Sequence, residues 1–180
     1  MGIGAVKAVF LDRDGVINES VVRDGKPYPP ATIEEFRIYA DAAEALGRLK
    51  AAGYRLIVVT NQPDVGRGTT PRSTVDSINA ALQRALPVDE VLVCFHDDRD
   101  ACDCRKPKPG LLLEAAGRHG IEMHRSFMVG DRWRDIDCGA AAGCRSVLID
   151  RGYRERSSDH PPDFRTDSLA GAAEWILGCD

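Results

Sequence analysis

The chain has 180 residues, of which 43% are hydrophobic and 29% charged, and its formal net charge is −4. This composition is typical of one globular domain, and the acidic balance argues against a general nucleic-acid surface. No apolar run approaches the roughly 18 residues of a membrane-spanning helix, so we expect no membrane partner. The first apolar stretch is too short for a secretory signal, and we expect a monomeric cytoplasmic protein.

The predicted elements alternate between strands and helices along the chain. Short runs of apolar and β-branched residues predict buried strands, and apolar residues three or four positions apart predict helices. This alternation predicts an α/β fold with a mainly parallel sheet. In chain order, the elements are a strand at 5–12, a helix at 41–53, a strand at 54–61, a helix at 75–86, a strand at 88–95, a helix at 109–120, a strand at 126–131, a helix at 134–143, a strand at 144–150 and a helix at 169–177.

Two segments fall outside this alternation. Residues 19–36 are rich in proline and charge, and we expect a flap or an ordered loop near the functional site there. Residues 151–167 predict a surface loop. The sequence has no internal repeat and no recognisable linker, so we predict a single domain over residues 1–180.

Polar residues stand at the ends of four predicted strands. They are DRDG at 12–15, TNQ at 60–62, a cysteine-histidine cluster at 94–104 and GD at 130–131. Ligands of open parallel sheets bind at the carboxyl ends of the strands. We therefore expect these groups to converge on one functional site.

Asp12 and Asp14 are two positions apart, which directs both carboxylates to one side of an extended chain. One aspartate can attack a phosphoryl group while the other protonates the leaving oxygen. Because neighbouring carboxylates repel each other, we expect a cation beside them, with Asp131 as a third oxygen ligand, and this set suits Mg²⁺. Thr60 and Lys106 supply a hydroxyl and a positive charge for the phosphoryl group. On its own, DRDG is equally compatible with an acidic turn.

LDRDG, a strand ending in TN, a lysine and GDxxxD, in this order, resemble the four motifs of the haloacid dehalogenase (HAD) superfamily. The resemblance implies a three-layer Rossmann-like fold with no large cap domain, and Mg²⁺-dependent phosphatase activity. Asp12 would be the nucleophile that becomes an aspartyl phosphate, and Asp14 the general acid and then the general base. The remaining implied roles are phosphoryl binding by Thr60 and Lys106 and metal binding by Asp12, Asp14 and Asp131, with Asp135 as a weaker second acid.

The cysteine-histidine cluster suits tetrahedral Zn²⁺. Its four candidate ligands are Cys94, His96, Cys102 and Cys104. A thioredoxin-like redox pair would have two residues between its cysteines; a strained disulfide between Cys102 and Cys104, or free thiols, are the alternatives. Four protein ligands leave no open position, so we predict a structural zinc site. Such a site would fix the next two residues, Arg105 and Lys106, so that they point into the phosphate pocket.

The zinc loop at 94–104 and its CDCRKP sequence resemble one branch of the superfamily, the D-glycero-D-manno-heptose 1,7-bisphosphate phosphatases and the histidinol-phosphate phosphatases. DGVIN, the TNQ stretch and RKPKPGLLL are closer to the heptose enzymes, whereas the five-residue gap inside the zinc loop is closer to the histidinol-phosphate enzymes. By this resemblance Arg105 contributes to substrate recognition, and Asn61 and Gln62 lie close to the sugar or the phosphate.

The substrate expected first is heptose 1,7-bisphosphate, hydrolysed at its 7-phosphate. Histidinol phosphate or another small phosphosugar is the alternative, and Pro63-Asp64, in place of the usual Ser-Gly after TNQ, leaves this choice open. A non-catalytic, zinc-stabilised binding module is a second alternative, although such a module would not need the complete set of acids and lysine. We expect a small phosphorylated sugar as the only partner.

Overall fold

A computed structural model of the chain describes residues 6–179, so residue 5, the start of the first predicted strand, lies outside the described residues. The strands are β1 (Ala8–Leu11), β2 (Val21–Arg23), β3 (Lys26–Tyr28), β4 (Arg55–Asn61), β5 (Glu90–Cys94), β6 (Phe127–Gly130), β7 (Arg145–Ile149) and β8 (Phe164–Thr166). The helices are α1 (Ala42–Ala51), α2 (Pro63–Gly66), α3 (Arg72–Ala85), α4 (Gly110–His119), α5 (Trp133–Ala142) and α6 (Leu169–Leu177), with single 3₁₀ turns at Ile33–Glu35, Asp98–Asp100 and Met123–Arg125. Among the helices of residues 6–179, none is long and apolar enough to cross a membrane.

Six strands form one sheet in the order β5-β4-β1-β6-β7-β8, and all neighbouring strands are parallel. The predicted α/β fold with a mainly parallel sheet is confirmed. Two segments differ from the prediction. The strand β8 lies within 151–167, which we predicted as a loop, and β2 and β3 form an antiparallel hairpin within 19–36. Each of these strands has only three residues, too few for an alternating pattern to be recognised.

The central strand β1 is buried on both faces, as expected for a parallel sheet covered by helices. Val9 and Leu11 belong to one apolar cluster together with side chains of α1 and α6. Ala8 and Phe10 belong to a second apolar cluster with side chains of α4 and α5. The helices therefore form a layer on each side of the sheet, which gives three layers in total.

Two glycines allow the strand ends to approach each other. Gly15 has a φ of +86°, which favours glycine, and a Cβ at this position would collide with the Asp131 carboxylate. A Cβ at Gly130 would likewise collide with the Asp135 side chain. The Arg151 Nε donates a hydrogen bond of 2.9 Å to the Gly15 carbonyl oxygen and fixes this turn. The ends of β1 and β6 are thus held in contact at the carboxyl edge of the sheet.

Candidate active site and metal centres

A buried lysine lies between two carboxylates at this edge. The Lys106 Nζ is 2.9 Å from Asp12 Oδ1 and 2.6 Å from Asp135 Oδ1, and it donates a hydrogen bond of 2.8 Å to the Val59 carbonyl oxygen. Burial alone would favour the neutral amine, but the charges of Asp12 and Asp135 outweigh it and raise the pKa of Lys106. The lysine is therefore a fixed positive charge beside Asp12.

Asp12, Asp131 and Asp135 each present a carboxylate oxygen, and these oxygens lie within 4.8 Å of one another. Burial, opposed by Lys106 and reinforced by Asp135 and Asp14, raises the pKa of Asp12 to about 6. Burial also raises the pKa of Asp131 well above its usual value, and the charges of Asp12 and Asp135 add to this effect. The three acids repel each other in a site with little water.

The environment of Asp131 gives the strongest indication of a cation-binding site. Both of its carboxylate oxygens are buried without a hydrogen bond from any residue of 6–179, although the Tyr153 hydroxyl is close enough to interact with the carboxylate. A buried carboxylate without a partner is energetically costly. An all-oxygen set of three carboxylates fits Mg²⁺, which prefers such ligands together with water and phosphate.

The Asp14 carboxylate is not part of this group, although we predicted it as a metal ligand. It accepts two hydrogen bonds from the Arg13 guanidinium at 3.1 and 3.0 Å, one from Asn18 Nδ2 at 3.0 Å and one from Gln62 Nε2 at 2.8 Å. These four bonds hold the carboxylate in one orientation. Asp14 nevertheless lines the same cavity as Asp12.

Arg13 was not singled out in the sequence, yet its side chain is fully buried. Its Nη1 donates a hydrogen bond of 2.8 Å to Asn79 Oδ1 on α3, while Nε and Nη2 bind Asp14. Asn79 is also buried. Helix α3 therefore supports Asp14 through one arginine, a connection for which the sequence carries no local signal.

The TNQ residues stand at the carboxyl end of β4, with Thr60 and Asn61 inside the strand, and lie beside the acids. The buried Thr60 hydroxyl accepts a hydrogen bond of 2.9 Å from Gln62 Nε2, the same group that binds Asp14. Asn61 forms two hydrogen bonds with the backbone of Lys106. Its Nδ2 donates to the Lys106 carbonyl oxygen at 3.1 Å, and its Oδ1 accepts from the Lys106 amide nitrogen at 3.2 Å. Thr60 and Asn61 line the cavity. Gln62 does not line it but binds Thr60 and Asp14, which do.

The cavity at the acids has an inner and an outer part that share several lining residues. The inner part is lined by Asp12, Asp14, Thr60, Asn61, Lys106 and Asp135, and is covered by Ser20 and residues 27–29 of the hairpin. The segment that we expected to be a flap or an ordered loop therefore borders the site. Arg132 and Arg134 line both the inner and the outer part.

Arg105 lies at the outer part of the cavity and does not line the inner part, where we expected it. Its Nε donates to Asp98 Oδ1 at 2.8 Å, and its Nη1 donates to the His96 carbonyl oxygen at 3.3 Å. These bonds turn the guanidinium back toward the zinc loop, whereas the neighbouring Lys106 reaches the acids.

The four candidate zinc ligands converge, with their ligand atoms within 4.8 Å of one another. The Cys104 Sγ is 3.1 Å from Cys94 Sγ, 3.4 Å from Cys102 Sγ and 3.2 Å from His96 Nδ1. Tetrahedral zinc with Zn–S bonds of about 2.3 Å would separate its sulfur ligands by about 3.8 Å. The distance of 3.7 Å between Cys94 Sγ and Cys102 Sγ agrees with this value, whereas the two sulfur contacts of Cys104 are shorter. The set of ligand types and their convergence are compatible with zinc. All six cysteines of the chain are free, which excludes the strained disulfide in this structure.

The fold and the acids at its carboxyl edge are those of a HAD-type hydrolase, and comparisons with known proteins agree. The HAD-hydrolase-like family model matches residues 103–172. The chain is 35% identical to the D-glycero-beta-D-manno-heptose-1,7-bisphosphate 7-phosphatase of Pseudomonas putida, over 96% of this chain and 100% of the relative. It is 36% identical to the enzyme of the same name from Helicobacter pylori, over 79% of this chain and 83% of the relative.

A solved structure supports the same assignment. The D,D-heptose 1,7-bisphosphate phosphatase of B. bronchiseptica, crystallised with magnesium and phosphate, has a TM-score of 0.80 and 29% identity to this chain, and the match covers 97% of this chain and all of that one. The chain therefore belongs to the HAD superfamily, in the branch of phosphatases that contains these relatives. The family resemblance inferred from the motifs is confirmed, and the protein is a phosphatase.

Proposed function

We propose that the protein is a Mg²⁺-dependent D-glycero-beta-D-manno-heptose-1,7-bisphosphate 7-phosphatase. The observation that carries the chemistry is the pairing of Lys106 with Asp12 beside the buried Asp131 carboxylate, for which no cationic side chain of residues 6–179 forms a salt bridge. The substrate is proposed from the relatives, since the two described above carry this name and match 96% and 79% of this chain. They favour the heptose bisphosphate over histidinol phosphate.

In the proposed first step, an Asp12 oxygen attacks the phosphorus atom, the bond from phosphorus to the sugar oxygen breaks, and Asp14 gives its proton to that oxygen. In the second step, Asp14 takes a proton from a water molecule, which attacks the phosphorus atom and releases phosphate from Asp12. Lys106 offsets negative charge on the phosphoryl group, and the Thr60 hydroxyl donates to one of its oxygens.

Asp12 and Asp131 would hold Mg²⁺. Asp14, which we predicted as a third ligand, would bind the ion only if its carboxylate gave up one of its hydrogen bonds from Arg13, Asn18 and Gln62. When bound, the ion supplies positive charge opposite the transferring phosphoryl group. Asp135, whose Oδ1 lies 2.6 Å from Lys106 Nζ, would orient the lysine, a role that differs from the weaker metal acid expected from its motif. Asn61 supports the same arrangement by binding the Lys106 backbone.

We propose a structural Zn²⁺ at Cys94, His96, Cys102 and Cys104. Four protein ligands would leave no position for substrate or water. The loop also depends on Lys108, whose Nζ donates a hydrogen bond of 2.8 Å to the Cys102 carbonyl oxygen. The zinc loop would fix the backbone that leads into Lys106, because Cys104 precedes it by two positions.

We further propose a single-domain, monomeric enzyme in the cytoplasm, with a phosphorylated sugar as its partner. One chain supplies every residue of the proposed site, and two apolar clusters on opposite faces of one sheet form its interior. Six free cysteines suit a compartment in which thiols stay reduced.

The substrate proposal is tested by comparing kcat/KM for the β and α anomers of heptose 1,7-bisphosphate and for histidinol phosphate. We expect the β anomer to be preferred over histidinol phosphate by at least about tenfold, roughly 1.4 kcal/mol of transition-state stabilisation. A preference for histidinol phosphate would contradict the proposed substrate while leaving the phosphatase chemistry intact.

A further inference from the structure

We propose that Asp98 is a specificity-determining residue. It would act as an internal anion that occupies the Arg105–Arg134 pair until the second phosphate of a bisphosphate substrate takes its place. This inference rests on the proposed function, because it requires a substrate with a second anionic group.

The first observation is that one carboxylate oxygen serves two arginines. Asp98 Oδ1 is 2.8 Å from Arg105 Nε and 3.3 Å from Arg134 Nη1. The arginine side chains are 11% and 24% exposed, whereas the Asp98 side chain is 56% exposed. Two largely buried cations therefore share one acid that stands mostly in solvent.

The other two arginines of the outer cavity are paired differently. Arg132 binds both oxygens of Glu155 through its Nε, at 2.9 Å, and its Nη2. Arg67 binds both oxygens of Asp97, at 3.0 and 2.6 Å. Such two-point pairs are the stronger form of arginine–carboxylate contact. Arg105 and Arg134, in contrast, share a single oxygen of Asp98. Two positive charges therefore face one negative charge, and an excess positive charge remains.

The position of the pair fits an extended substrate. Arg134 lines the inner part of the cavity together with Asp12, and it lines the outer part together with Asp98 and Arg105. Its Nη1 also lies 3.4 Å from the Lys106 carbonyl oxygen, which ties it to the segment of the catalytic lysine. A ligand with one phosphate at Asp12 can therefore extend toward the two arginines.

A phosphate is a better partner for this pair than Asp98. It carries up to two negative charges and three free oxygens, which can accept from both guanidinium groups at once. Asp98 belongs to an exposed 3₁₀ turn, Asp98–Asp100, so its side chain can turn into solvent without disturbing the core. A monophosphate lacks the second group that would displace Asp98, so the salt bridges of Asp98 with Arg105 and Arg134 stay in place when it binds.

The test compares Asp98→Asn with Asp103→Asn. The measured quantity is kcat/KM for β-heptose 1,7-bisphosphate divided by kcat/KM for para-nitrophenyl phosphate. We expect Asp98→Asn to raise this ratio roughly threefold through a lower KM for the bisphosphate, since an exposed ion pair has a small free energy. Asp103→Asn is the matched control because Asp103 lies in the same loop and the substitution removes the same charge. Its side chain is 97% exposed and pairs with Lys108. The ratio measured for Asp103→Asn should equal that of the unmodified enzyme.

A second variant separates competition from a general change in charge. Arg134→Gln should raise the KM for the bisphosphate, and in the Asp98→Asn, Arg134→Gln double variant the gain from Asp98→Asn should disappear. A ratio that stays the same or falls in Asp98→Asn, or a gain that persists without Arg134, would overturn the inference. If the unmodified enzyme does not prefer the bisphosphate over para-nitrophenyl phosphate, the proposed function fails first, and the role of Asp98 fails with it.

Discussion

The two groups of candidate metal ligands are built in opposite ways. The oxygen group joins Asp12, which follows β1, with Asp131 and Asp135, which follow β6, and all three are buried. The sulfur and nitrogen group lies in the loop 94–104 and is partly exposed. The first group exists only because the sheet brings distant strand ends together, whereas the second can organise its own loop. The oxygen group is therefore suited to be a reaction centre, and the sulfur and nitrogen group is suited to stabilise its own loop.

Lys106 connects the two regions, and its removal should have the largest effect. In Lys106→Gln the buried Asp12 and Asp135 lose their shared cation, so we expect the free energy of unfolding to fall by about 3 kcal/mol and kcat by about 10³-fold. Urea unfolding and phosphate release measure the two effects.

The matched control is Lys108→Gln, two positions later, where the amine is exposed and binds backbone oxygens of the zinc loop. It should change stability by less than about 1 kcal/mol. Equal losses in the two variants would remove the distinction between the reaction centre and the scaffold.

The zinc loop should matter next, and chiefly for stability. Cys104→Ser removes a ligand that contacts the other three, and we expect loss of bound zinc and a decrease of about 3 kcal/mol in the free energy of unfolding. For a chain of this size the decrease corresponds to a Tm lower by roughly 6–12 °C. Metal analysis and thermal unfolding check this outcome, with Cys179→Ser, outside the cluster, as the control. An unchanged zinc content in Cys104→Ser would contradict the ligand assignment.

Gly15 tests how closely the oxygen group depends on the fold. Gly15→Ala adds a Cβ that collides with the Asp131 carboxylate, and we expect kcat to fall by about 10- to 100-fold through displacement of this acid. Gly120→Ala is the control, because Gly120 also has a positive φ, of +65°, but apart from its chain neighbours no heavy atom of residues 6–179 lies within 4 Å of its Cβ position. It should cost about 1 kcal/mol of stability and leave kcat unchanged. If kcat fell equally in the two variants, backbone strain, and not the collision with Asp131, would explain the loss of activity.

Asn79 should give the smallest effect. It accepts from Arg13, which in turn holds Asp14, so Asn79→Ala should lower kcat by about fivefold, roughly 1 kcal/mol. Asn79→Asp keeps an acceptor for Arg13 and should recover most of the activity. Gln83→Ala, an exposed change one turn later on α3, is the control. A failure of Asn79→Asp to recover activity would argue against positioning through Arg13.

The zinc loop and the strand-end acids could be predicted from the sequence for different reasons. The loop holds all four candidate zinc ligands within one short segment. Asp12 and Asp131 end apolar runs, and the carboxyl ends of parallel strands lie at one edge of the sheet. The direction of the Arg13 side chain could not be predicted, because it depends on the packing of α3 and the position of Asn79. The direction of the Arg105 side chain could not be predicted either, because it depends on a hydrogen bond to Asp98, seven positions earlier in the chain.

Phosphate release by Asp12→Asn tests whether the oxygen group carries out the reaction through Asp12. The assay uses para-nitrophenyl phosphate at saturating Mg²⁺, with Asp137→Asn, a buried acid outside the group, as the control. Because the amide is not a nucleophile, kcat for Asp12→Asn should be at least about 10³-fold below the unmodified enzyme, about 4 kcal/mol, while the control stays within about threefold. A kcat for Asp12→Asn within tenfold of that of the unmodified enzyme would show that Asp12 is not the nucleophile.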